Sequence, residues 1–128
     1  MIKKILIVDD EPSITVPLKF LMEQNRFAVR VVHTGEDALT AVDDFQPDLI
    51  LLDIMMPGID GLEVSRRLKQ NKRTSSIFIC ILTGTKTEPS DQSMGLEIGA
   101  DEYMTRPFTV REILARVKAM LRLKNTEK

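Results

Sequence analysis

Short apolar runs alternate along this chain with stretches in which apolar residues recur at helical spacing. The runs are "ILIV" (5–8), "AVRVV" (28–32), "LILL" (49–52), "IFICIL" (77–82) and the weaker "EYMT" (102–105). Three of them are continuously apolar rather than alternating, which predicts strands covered on both faces, as in a parallel sheet. Between them, Ala38, Ala41, Val42 and Phe45 predict one amphipathic helix, and Val110, Ile113, Leu114, Val117 and Leu121 another. Glu11-Pro12-Ser13 predicts a helix start, since proline is tolerated in a first turn. Pro17 falls beyond that turn and predicts a lost hydrogen bond or a small kink, and Asn25 a left-handed terminator.

Five such strands alternating with five helices predict a doubly wound α/β sandwich, in which right-handed crossovers bring every strand's C-terminal end to one rim. Ligands of such sheets bind at that rim. The first strand runs into Asp9-Asp10, the third into Asp53, the fourth into Thr83 and the fifth into Arg106-Pro107. The second runs into His33-Thr34-Gly35, read as a plain turn. Three carboxylates, a hydroxyl and a cation therefore converge from distant parts of the chain.

Composition narrows the choice. The chain of 128 residues is of single-domain size, and its 19 acidic and 18 basic residues nearly cancel, which argues against a broad nucleic-acid footprint. No apolar run approaches membrane-spanning length, and "MIKKILIVDD" is too short in its apolar part for a signal peptide. The single cysteine, Cys80, lies inside an apolar run and reads as a buried thiol in a reducing compartment, so the expectation is a cytoplasmic protein. His33, the only histidine, reads as a surface residue, and Met22, Met94 and Met120 as packing. The charges of "RRLKQNKR" (66–73), with Lys118, Arg122 and Lys124, read as solvated helix faces and ends rather than a nucleic-acid patch.

Clustered carboxylates repel, and a divalent cation is the usual resolution. With no second histidine or cysteine to compete, an all-oxygen site suits Mg²⁺ or Mn²⁺ better than zinc. The blander account, in which Asp9 and Asp10 only cap the first helix, serves for one aspartate but poorly for two that face Asp53. A carboxylate beside such a metal is also a nucleophile toward phosphorus. Phosphoryl transfer then needs in-line positioning and neutralised oxygens, with Thr83 and Arg106 as donors beside the metal.

"ILIVDDEP", "LILLDIMMPGIDGLE", "ILTG" and "GADEYMTRPF" resemble, in order and spacing, the motif blocks of bacterial response-regulator receiver domains of the CheY-like superfamily. The resemblance covers essentially the whole chain. It implies a flavodoxin-like three-layer sandwich with strand order 2-1-3-4-5, and a single receiver domain over 1–128 with no output domain. It further implies Asp53 as phosphoacceptor, with Asp9, Asp10, Asp53 and the backbone carbonyl of Met55 around Mg²⁺ or Mn²⁺. Thr83 matches the switch hydroxyl, and Tyr103 the aromatic that swings inward behind it and alters the surface of the fourth helix, fifth strand and fifth helix. An ordinary half-buried strand tyrosine would show no such coupling. Met55 and Thr85 match positions that tune phosphate lifetime, and a cis bond is implied between Arg106 and Pro107. Implied partners are a sensor histidine kinase or phosphotransfer protein and a second copy through the fourth helix–fifth strand–fifth helix face, with no direct nucleic-acid binding and no membrane contact.

One position departs from the family: Arg106 stands where the family carries lysine, and a planar guanidinium does not replace a compact ammonium without a change of geometry. That departure keeps a second reading in view, a degenerate receiver acting only as a binding module. A third reading, a Mg²⁺-dependent phosphohydrolase with an aspartyl intermediate, lacks a general acid beside Asp53 and any segment long enough for a cap. A flavin-binding domain lacks a phosphate-cradling loop. The leading expectation is a regulatory phosphoacceptor switch, not an enzyme acting on other molecules.

Overall fold

The computed structural model describes residues 2–54, 58–83, 99–105 and 108–126. Its strands are β1 (Lys4–Val8), β2 (Ala28–Val32), β3 (Leu49–Asp53), β4 (Phe78–Thr83) and β5 (Glu102–Thr105). Its described helices are α1 (Pro12–Gln24), α2 (Gly35–Phe45), α3 (Gly61–Gln70) and α4 (Val110–Thr126). The last is the fifth helix of the sequence reading, which expects its fourth between β4 and β5; residues 84–98 lie outside the described residues. All strand pairs are parallel, in the order β2-β1-β3-β4-β5.

Strand parity divides the core into two layers, since successive side chains point to opposite faces. Ile5, Ile7, Leu49, Leu51, Cys80 and Leu82 pack with Leu18 and Met22 of α1 and Ile113, Val117 and Leu121 of α4. Leu6, Val8, Ile50, Leu52, Ile79 and Ile81 pack with Ala38 and Val42 of α2 and Val64 and Leu68 of α3. The apolar runs of β1, β3 and β4 are accordingly buried on both sides, whereas the edge strand β2 is half-buried throughout. Cys80 is inert inside this core, and burial pushes its thiol up to about 12. Met22 and Met120 pack as expected, and Met94 lies outside the described residues.

Two local readings are corrected. Asn25 is not left-handed (φ −96°); its Nδ2 donates to the Leu21 carbonyl at 2.8 Å, which holds it near the helix, and the left-handed residue is Arg26, at φ +70°. His33-Thr34-Gly35 is more than a turn, because the Thr34 hydroxyl accepts from the Asp37 amide at 3.0 Å and starts α2. Helix α1 runs unbroken through Pro17, which lies on its exposed side.

Candidate functional site

The register carries the site. Val8 of β1 pairs with Leu52 of β3, so Asp9 and Asp53 are the next residues on adjacent strands. Parity sets both on the layer of Ile7 and Leu51, facing the start of α1. Asp10 follows at the mouth of the site and is exposed, whereas Asp9 is 4% and Asp53 9% exposed. One carboxylate oxygen from each of Asp9, Asp10 and Asp53 lies within 4.8 Å of the others.

Backbone contacts hold these side chains in place. The Asp9 Oδ1 accepts from the Glu11 amide at 2.9 Å, so this aspartate does orient the start of α1 while also facing the cluster. The Asp9 amide donates to the Val32 carbonyl at 3.1 Å, and His33 Nδ1 lies 3.0 Å from the Asp9 carbonyl. His33 is exposed, as expected, but it ties β2 to the acidic strand end. Beyond Asp53, the chain returns so closely that a Cβ at Gly61 would lie 2.5 Å from the Asp53 carbonyl oxygen. The Gly61 amide donates to the Ile54 carbonyl at 3.2 Å, and Asp60 caps α3 by accepting from the Glu63 amide at 2.9 Å. Glycine is therefore required where α3 begins against the backbone of Asp53.

Thr83 ends β4, its backbone opposite Thr105 of β5, on the same rim. Tyr103 sits in β5 opposite Ile81 and packs against the α2–α3 layer. Its hydroxyl is buried with no hydrogen-bond partner among the described residues. Met55, Thr85, Arg106 and Pro107 lie outside the described residues.

Three oxygen ligands at such spacing fit a hard divalent cation that retains waters, and their mutual repulsion favours one. One assigned reading fails. Lys69, placed among the solvated charges of 66–73, is only 17% exposed at its side chain, and its ammonium donates to Ser75 O, Ile77 O and Asp101 Oδ2. The available signal was helical spacing, because Lys69 lies one turn beyond the buried Ser65.

A parallel 2-1-3-4-5 sheet with a carboxylate cluster at its C-terminal rim defines the receiver class of signalling domain. The family described as "Response regulator receiver domain" matches residues 5–118. The chain is 47% identical over 122 residues to the alkaline phosphatase synthesis transcriptional regulatory protein PhoP of Bacillus subtilis, covering 95% of this chain and 50% of that protein. A CheY-like response regulator receiver domain protein from Methanospirillum hungatei superposes with TM-score 0.92 at 26% identity, covering 100% of both chains. The BeF3-activated receiver domain of RstA from Klebsiella pneumoniae superposes with TM-score 0.84 at 30% identity, covering 94% of this chain and 99% of that one. The chain belongs to the response regulator receiver domain family, and it is a phosphorylation-dependent signalling switch of bacterial two-component type. It spans about half the length of the curated relatives it matches. No helix among the described residues is long and apolar enough to cross a membrane.

Proposed function

We propose that Asp53 is the phosphoacceptor and that Asp9, Asp10 and Asp53 hold Mg²⁺ beside it. The observation that carries this reading is the convergence of the three carboxylates within 4.8 Å, at the end of two neighbouring buried strands. An Asp53 carboxylate oxygen forms the bond to phosphorus while the donor's bond to the phosphoryl group breaks and its electron pair leaves with the donor. Mg²⁺ held by Asp9, Asp10 and Asp53 would supply neutralisation of charge on the transferring oxygens. Asp9, fixed by the Glu11 amide, keeps the rim in place without rearrangement during transfer. Thr83 and Arg106 are the donors we assign to the remaining oxygens, the Met55 carbonyl a further metal ligand, and Tyr103 the aromatic that registers the change. The donor is a histidine kinase or phosphotransfer protein, the setting cytoplasmic, and the relay passes through the face that includes β5 and α4, where a second copy also pairs.

The test is intact mass after incubation with acetyl phosphate, with and without Mg²⁺, beside Asp53→Asn. A single Mg²⁺-dependent phosphoryl adduct, absent from the variant, is expected. A folded protein that takes no adduct under either condition refutes the reading and leaves a binding module.

A further inference from the structure

Lys69 lies at the last turn of α3, and its side chain turns inward. All three donors of its ammonium are engaged, with Ser75 O at 3.1 Å, Ile77 O at 2.7 Å and Asp101 Oδ2 at 3.0 Å. Asp101 is itself tied to β4. Its Oδ2 accepts from the Ile79 amide at 2.8 Å, and its own amide donates to the Ile79 carbonyl at 2.8 Å. Gly99 (φ +109°) completes the arrangement, because a Cβ there would lie 2.6 Å from Lys69 Cγ and 2.9 Å from its Cβ. The lysine stem therefore occupies space that only glycine leaves open.

The place of this contact matters more than its strength. Helix α3 begins against the carbonyl of Asp53, where Gly61 meets it, and in its last turn Lys69 reaches the lead-in to β5. Tyr103 follows Asp101 by two residues, in register with Ile81, and its buried hydroxyl has no partner among the described residues. A buried unpartnered hydroxyl favours any movement that wets or pairs it. With the start of β5 bound to both α3 and β4, the movement available is rotation of the ring about a fixed strand. Released from Lys69, the strand start can shift instead, and ring position loses its dependence on the acidic rim.

We propose that Lys69 is a positioning residue of the switch: through Asp101 it fixes the start of β5 so that the Tyr103 ring, and not the strand, responds to phosphorylation. The proposal rests on the reading of Asp53 as phosphoacceptor and Tyr103 as the responding aromatic. Coupling of this kind requires an element with two arrangements that both sites bias, and the ring supplies it.

Tyr103 is the only tyrosine, so incorporation of 3-fluorotyrosine gives one ¹⁹F resonance from the switch position. The resonance is recorded before and after beryllofluoride with Mg²⁺ in the wild type, Lys69→Met and Lys69→Arg, with acetyl phosphate adducts measured in parallel by mass. Lys69→Met is expected to take the adduct at the wild-type rate while its ¹⁹F response falls by about threefold or more, with Lys69→Arg recovering most of it. A merely structural lysine would lower the melting temperature and leave the response of the folded variant intact. That result overturns the proposal. Should Lys69→Met fail to fold, Asp101→Asn decides, since it keeps an acceptor for the Ile79 amide and removes the charge. A full response there also overturns the proposal, and a reduced one supports it. No adduct and no response in the wild type would instead refute the phosphoacceptor reading.

Discussion

The two ends of the sheet treat charge in opposite ways. At the C-terminal rim, like charges are brought together, with Asp9, Asp10 and Asp53 presenting oxygens within 4.8 Å. At the N-terminal rim, opposite partners are matched. Lys69 meets Asp101 at 3.0 Å, Arg73 meets Asp43 at 3.0 Å, and the Asp48 carboxylate accepts from the Lys4 amide at 2.8 Å. The second end stabilises the fold, while the first is held in place by that fold and has the oxygen spacing that fits a divalent cation. The proposed site thus lies where the local electrostatics are unfavourable without a ligand.

The largest expected effect breaks the matched end. Lys69→Met leaves Asp101 with a partly buried charge and frees two carbonyls, and should cost roughly 2–3 kcal/mol in urea unfolding, below the full loss seen for a deeply buried pair. Next, Gly61→Ala forces a Cβ against the Asp53 backbone, where no flexible side chain can give way. A loss of about 2 kcal/mol is expected, together with slower adduct formation by mass, because the acceptor strand end must shift. At the like-charged end the sign reverses. Asp10→Asn should raise stability without metal by about 1 kcal/mol, the repulsion of charges at this spacing in a water-like dielectric. The same variant should lose most of the rise in melting temperature that Mg²⁺ gives the wild type.

The smallest effect concerns pH. Side-chain hydrogen bonds from Arg66 and Arg67 hold the Glu63 carboxyl down at about 2, against an ordinary 4.5. A carboxyl with a depressed folded value stabilises above 4.5 and loses that contribution as pH falls through about 2. Glu63 is exposed to solvent screening, so Glu63→Gln should only slightly flatten the acid limb of stability measured between these values.

The acidic rim was legible because it needs only three things, all written in the chain: continuous apolar runs, their parity, and carboxylates placed just after them. Asp9, Asp10 and Asp53 follow from those. The α2 start was legible too, since Thr34-Gly35-Glu36-Asp37 is a hydroxyl followed by an acid at capping spacing, but it was read as a turn. Lys69 was legible only in its spacing from Ser65, and its partners were not. A lysine in a basic stretch is ordinarily solvated, and what turns it inward is tertiary: a glycine and an aspartate that come 30 or more residues later, the aspartate at a separation of 32. Arg26 illustrates the same limit on a local scale. Asparagine is the usual left-handed residue, yet here its side chain is engaged by the helix and the strained angle passes to its neighbour.

The central claim is that the phosphoryl group resides on Asp53. Borohydride reduces an acyl phosphate to the alcohol, so reducing the adduct and mapping peptides identifies the residue that carried it. The account predicts homoserine at position 53 and unmodified aspartate at positions 9 and 10. Homoserine at any other acidic position, with Asp53 recovered intact, would contradict it.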